Sequence, residues 1–98
     1  MVQIEVVWSE ESIKRRTNEI AEEYGVSADI MHKVIKCESN YNRYALGDHG
    51  KSRGLVQIHS DYHDVSDKDA YDSEYAITFL AKKLKEGKGN LWTCYRKL

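Results

Sequence analysis

Glu38 is the residue whose neighbours give it chemistry to do. Side chains three and four apart share one face of a helix, so in "SADIMHKVIKCES" the residues Ile30, Val34 and Glu38 form one row, with Met31 and Ile35 beside it. His32, Lys33 and Lys36 take the solvent side. Glu38 therefore ends an apolar stripe. A carboxylate facing apolar surroundings is desolvated, which disfavours its charged form and raises its pKa. A glutamic acid still protonated near neutral pH can donate a proton to a leaving group. The plainer reading is that helix ends fray and the last residue of the stripe swings into water.

The segment after Glu38, "SNYNRYALGDHGKSRGLVQIH", is polar, aromatic and glycine-rich. Asn40, Tyr41, Asn42, Tyr44, Ser52 and Gln57 supply amides, hydroxyls and rings of the kind that hydrogen-bond to and stack on sugars. Composition alone fits an ordinary loop equally well. Two further carboxylates, Asp48 in a turn and Asp61 beyond it, are candidates to work with Glu38.

The elements that must position these groups follow from period and punctuation. Val2, Ile4, Val6 and Trp8 alternate, predicting an extended arm over residues 1–8. Ser9 caps a first helix with Glu10 and Glu11 in its first turn, and Trp8 and Ile13 occupy the positions of a hydrophobic staple. Ile13, Thr17, Ile20, Ala21 and Tyr24 share its buried face, and Gly25 supplies the left-handed stop. Ser27 caps the second helix, which carries Glu38. Asn, Asp and glycine then mark turns, with "GLVQI" as a strand of a small β-hairpin. Ser60 is expected to begin a short helix in the polar stretch to Tyr71. Asp72 caps a third long helix through Ile77, Leu80, Ala81 and Leu84, ended by Gly87, and "NLWTCYRKL" forms a last helical turn or two. The expected architecture is mainly α, with a small β-hairpin beside the helix that carries the acid.

The chain has 98 residues, room for one domain and one core. Its net charge of −1 gives no general attraction to phosphate, and the basic clusters Lys14-Arg15-Arg16 and Lys82-Lys83 are short. No apolar run approaches a membrane span, and "MVQIEVVWSEESIKRR" lacks the order of a signal peptide. Cys37 and Cys94 have no second ligand pair nearby, so two buried thiols or one disulfide are the open readings. A bridge would close a loop of about 57 residues and stabilise by roughly 4 kcal/mol on the chain-entropy argument. His59 with His63, and Asp67, Asp69 and Asp72, have spacings a metal can use but complete no recognisable ligand set, so no metal or other cofactor is expected.

The order of residues carries more than the composition. "CESNYNRYALGDHGKSRGLVQI" resembles the motif of the lysozyme-like lytic transglycosylases (SLT type). There Glu-Ser is followed by an aromatic-Asn pair, an Ala, a Gly/Ser-rich turn and Gly-Leu-x-Gln. The matching positions here are Glu38-Ser39, Tyr41-Asn42, Ala45, Gly50-Lys51-Ser52 and Gly54-Leu55-Val56-Gln57. Cys37 and the late "LWTCY" are similar to the resuscitation-promoting-factor branch, and that likeness implies a Cys37–Cys94 disulfide. With the flanking helices the resemblance spans about residues 9 to 95. It implies a lysozyme-like α+β fold and Glu38 as catalytic acid. It also implies Ser39 as support of the acid and the helix end, and Gln57 and Ser52 as cleft positions that touch glycan. Tyr41, Tyr62 and Tyr95 complete the expected substrate-contacting set. The family's late Ala-Tyr-Asn motif is absent, with only Tyr95 in the last stretch, a departure that bears on the product more than on the substrate.

The resemblance further implies a monomer acting on peptidoglycan glycan strands, secreted, periplasmic or cell-wall-associated, of bacterial or phage origin. Glycoside hydrolysis ordinarily uses two carboxylates. If Asp48 and Asp61 do not serve, Glu38 acts alone with help from the substrate's N-acetyl group. Two other readings compete. A helix-turn-helix is suggested by Ala21, Gly25, Val26 and Ser27 at the corner between two helices, but Ala28, Asp29, Ile30 and Met31 make a poor base-reading start to a recognition helix. A non-catalytic glycan-binding relative would keep the fold without the chemistry.

Overall fold

Each of the long helices is started by the side chain the sequence offers for it. The computed structural model describes residues 7–98; of the expected N-terminal arm, residues 1–6 lie outside the described residues. Helix α1 (Glu10–Tyr24) opens on a reciprocal cap between Ser9 and Ser12 and closes on Gly25 at φ 67°. Ile13, Thr17, Ile20 and Ala21 form its buried face, and Trp8 packs against the core from just before it. Helix α2 (Ala28–Ser39) is capped by Ser27, whose hydroxyl accepts from the Ile30 N–H at 3.2 Å. Met31, Val34, Ile35 and Ser39 are buried, and the helix stops at Asn40 in the left-handed conformation.

The middle of the chain is a three-stranded antiparallel sheet of very short strands rather than one hairpin. Strands β1 (Leu46–Gly47), β2 (Ser52–Arg53) and β3 (Ile58–His59) lie in chain order. Gly47 pairs with Ser52, and Ser52 with His59. The expected strand "GLVQI" is mostly the turn between β2 and β3, with only Ile58 in a strand. Its backbone explains this: Gly54 at φ 81° and Gln57 at φ 52° bracket the turn, which drives Leu55 and Val56 into the core.

The polar stretch that follows is pinned from beneath by buried Arg53. Its guanidinium donates to the Ile58 carbonyl at 3.2 Å, to the Val65 carbonyl at 2.9 Å and to Asp67 at 2.8 Å. The expected helix here starts later than Ser60. It is one turn, α3 (Asp67–Ala70), capped by Ser66; the N–H groups a Ser60 cap would engage, those of Tyr62 and His63, go to the His59 carbonyl at 3.2 and 3.0 Å. Asp72 then caps α4 (Ser73–Lys85), as its position predicts. A 3₁₀ turn (Gly89–Leu91) leads into α5 (Thr93–Arg96).

Helix α1 packs on α2 and α4, and α5 packs on α2. The core joins Ile13, Ile20, Met31, Ile35, Ile77 and Leu80 from the helices to Leu55, Val56 and Ile58 from the sheet region. Arg16 clamps α1 to α4 through two 2.8 Å hydrogen bonds to Glu74. No helix among the described residues is long and apolar enough to cross a membrane. The fold is mainly α with one small antiparallel sheet.

Gly54 is where the sheet touches α3. A Cβ there would overlap the Ala70 carbonyl oxygen, and the positive φ is strained for any side chain. Gly54→Ala is therefore expected to destabilise by at least about 2 kcal/mol, seen as a melting temperature lower by about 8 °C or more. An unchanged melting temperature would mean that the turn relaxes freely.

Candidate active site

Glu38 occupies the last turn of α2, one residue after Cys37 and one before the buried Ser39. It is half-buried. Burial pushes its carboxyl above the usual glutamate range, and the nearby negative charge of Asp48 pushes the same way. The Cys94 N–H, which donates to a Glu38 oxygen at 3.3 Å, opposes this, as do the positive charges of Lys97 and Arg96. Burial dominates, so the proton is held more tightly than on a free glutamate. This is the environment anticipated for the end of the apolar stripe.

The acid opens into a cleft of about 270 Å³. Asp48, Ser52, Gln57, His59 and Tyr62 line it from the sheet and its loops, and Leu91, Trp92, Thr93 and Arg96 from the C-terminal segment. Asp48 is exposed and accepts a short hydrogen bond from the Ser52 hydroxyl. Gln57 is fixed by its side-chain amide, which donates to the carbonyls of Ala45 at 3.1 Å and Gly54 at 2.9 Å. Its other end explains Gly47, since a Cβ at that position would come within 2.5 Å of the Gln57 oxygen. Tyr62, 78% exposed, packs against His59 with ring centroids 4.5 Å apart and planes tilted by 35°, giving the cleft an aromatic rim.

Of the residues expected from the sequence, Glu38, Asp48, Ser52, Gln57 and Tyr62 thus meet at one cleft. The others lie outside its lining. Ser39 is buried with its hydroxyl on the Ile35 carbonyl at 3.1 Å, bracing the helix end beside the acid. Tyr41 is buried, because left-handed backbone at Asn40 and Tyr41 turns its ring back onto α2. There its hydroxyl meets His32 Nδ1 at 2.8 Å. Asp61 stands on the surface in a 2.8 Å ion pair with Lys51, which holds its carboxyl below the usual aspartate range. Tyr95 packs its ring over Gly89 on the far side of α5.

Four lining residues escaped the sequence reading as site members: His59, Leu91, Thr93 and Arg96. Leu91 ends the 3₁₀ turn and Thr93 and Arg96 stand on α5, a segment tied to the residue before Glu38 by the Cys37–Cys94 disulfide, with Cα atoms 5.9 Å apart. Trp92 is buried at the cleft wall, and its indole N–H donates to the Val56 carbonyl at 2.7 Å.

Among the described residues no group of three or more metal-ligating side chains gathers. His63 packs edge-on against Phe79, Asp72 is a helix cap, and Asp67 pairs with Arg53. A larger hollow, about 360 Å³, runs along α4 past Tyr75 and Phe79 and includes none of the expected site residues. Two of its acids are already engaged, Asp72 as the cap of α4 and Glu74 with Arg16. The face of α2 considered for DNA opens with Asp29 paired to Lys33 at 3.0 Å. Compared with protein-family models, curated proteins and solved structures, the chain matches none significantly.

Proposed function

We propose that the protein is a lysozyme-like, peptidoglycan-cleaving glycosidase that cuts the β-1,4 bond between N-acetylmuramic acid and N-acetylglucosamine, with Glu38 as general acid and then base. The observation that carries this reading is a half-buried carboxyl, raised above the usual glutamate range chiefly by burial, at the wall of an open cleft with hydrogen-bonding and aromatic sides. It joins the ordered likeness to the lytic transglycosylase motif, from Glu38-Ser39 to Gly54-Leu55-Val56-Gln57.

In the proposed reaction the Glu38 proton goes to the glycosidic oxygen as the bond from that oxygen to the sugar's C1 breaks. The carbonyl oxygen of the sugar's own N-acetyl group closes on C1, which removes the need for a protein nucleophile. The Glu38 carboxylate next takes a proton from the C6 hydroxyl, whose oxygen displaces the acetamido oxygen and leaves a 1,6-anhydro end. If water takes the place of the C6 hydroxyl, the end is hydrated. Asp48, the other carboxylate lining the cleft, is then the group to hold that water.

The protein acts in this proposal as a monomer on glycan strands, secreted, periplasmic or wall-associated. The Cys37–Cys94 bridge suits such an oxidising compartment.

Purified peptidoglycan incubated with the protein and read by mass tests the reading. Anhydro fragments, lighter by one water than hydrolytic ones, are expected if Glu38 works alone. Hydrated ends would assign Asp48 a role, tested by Asp48→Asn. A folded protein that releases no fragments would sink the glycosidase reading.

A further inference from the structure

Arg96 is the cation of a cleft whose other charged lining residues, Glu38 and Asp48, are acids. It is exposed, yet its guanidinium is fixed: Nη1 donates to the Asn90 carbonyl at 2.7 Å and Nη2 to the Thr93 hydroxyl at 3.0 Å. Both partners are neutral. Among the described residues no carboxylate comes within 4.0 Å of it, whereas Arg16 has two and Arg53 one. Two hydrogen bonds use two of the five guanidinium N–H groups, leaving three donors on a fork already held in place. A planar, pre-positioned fork with free donors is suited to a carboxylate, which it can hold through two parallel bonds. A surface arginine needs no such fixing.

We propose that Arg96 is a specificity-determining residue that receives a carboxylate of the substrate, so that the cleft favours glycans whose sugars carry an acid over uncharged N-acetylglucosamine polymer. This rests on the glycosidase reading of the same cleft. The acid is carried on the lactyl arm of the muramic sugar, either as the free lactyl carboxylate or as a carboxylate of the peptide attached there. Both present the same planar anion. The arrangement also couples recognition to chemistry. The positive charge of Arg96 favours ionised Glu38, so an anion seated on Arg96 cancels that influence and leaves Glu38 better able to keep its proton.

The test compares wild type, Arg96→Gln and Arg96→Lys on three soluble glycans of equal length: peptide-bearing strands, strands stripped of peptide with free lactyl carboxylates, and N-acetylglucosamine oligomers. Arg96→Gln is expected to lose about 10-fold or more in kcat/KM on the acidic glycans relative to the neutral one, chiefly through KM. Arg96→Lys should restore part of the loss, and added salt should shrink the wild-type preference. A loss confined to peptide-bearing strands assigns the contact to the peptide, and a loss on both acidic strands assigns it to the lactyl group. An equal loss on all three glycans, or no loss on any, overturns the proposal and leaves Arg96 a brace for α5. If wild type cleaves none of them, titrating Glu38→Gln with N-acetylmuramic acid and with N-acetylglucosamine decides between the two ideas. A shift of the Arg96 Nε resonance with the acidic sugar alone keeps the anion site without the glycosidase, and no shift ends both.

Discussion

Glu38→Gln is expected to remove turnover while leaving a protein that is folded and, at neutral pH, more stable than wild type. The amide keeps the size of the side chain and an oxygen to accept from the Cys94 N–H, but it has no proton to give. General acid catalysis is typically worth about 10²–10⁴-fold, so roughly 3–5 kcal/mol of transition-state stabilisation should be lost. The stability change has a separate origin. The carboxyl of Glu38 is raised chiefly by burial, so its ionised form is the one the fold disfavours. A group raised in this way contributes stability below its unfolded pKa and loses it as pH climbs through the folded value. Gln stays neutral throughout. The melting temperatures of the two proteins should therefore coincide in acid and separate as pH rises above the usual glutamate range, with the variant higher. Wild-type turnover should fall over the same interval as the acid loses its proton. Unfolding scans and initial rates from pH 3 to 8 measure both. A wild type more stable than the variant at neutral pH would show that the carboxylate is a structural anion, held by Cys94, Arg96 and Lys97, rather than a poised acid.

The place of Glu38 is legible in the sequence because what sets it is local. The row Ile30, Val34, Glu38 is set by helical spacing, and the helix by the Ser27 cap and the stop at Asn40, all within thirteen residues of one another. The caps Ser9 and Asp72 are local in the same sense. Residues whose placement depends on distant chain were harder to read. Tyr41 reads as a cleft aromatic in a polar stretch, but two successive left-handed residues send it back onto His32. No glycine marks that reversal, so the sequence carries little sign of it. "GLVQI" has the composition of a strand and becomes a turn because the core needs Leu55 and Val56 and because Trp92, thirty-six residues away, takes the Val56 carbonyl. Arg96 and Thr93 gave no signal at all. Nothing in "LWTCYRKL" says that it borders Glu38 except the cysteine.

Breaking the Cys37–Cys94 bridge is for this reason expected to reach further than stability. Its loop spans 57 residues, and opening it should cost up to about 4 kcal/mol, a large share of the 5–15 kcal/mol typical of a domain. For a chain of this size that corresponds to a melting temperature lower by about 15 °C or more. The bridge also joins the residue before the acid to the residue whose N–H donates to the acid. Leu91, Thr93 and Arg96 stand on the same short segment, which has only one turn of α-helix of its own. Freed of the bridge, that segment is tied down by Trp92, through its burial and its bond to Val56. The reduced protein and the Cys37→Ser, Cys94→Ser double variant should accordingly lose activity at temperatures well below their own melting points, where nearly every molecule is folded. Rates measured there, with thiol alkylation and intact mass to score the bridge, separate two roles. Lower activity in a folded, bridge-free protein means that the disulfide assembles the cleft as well as the fold. Full activity means that Trp92 alone seats the C-terminal wall, and the bridge then serves only to keep a small core from opening.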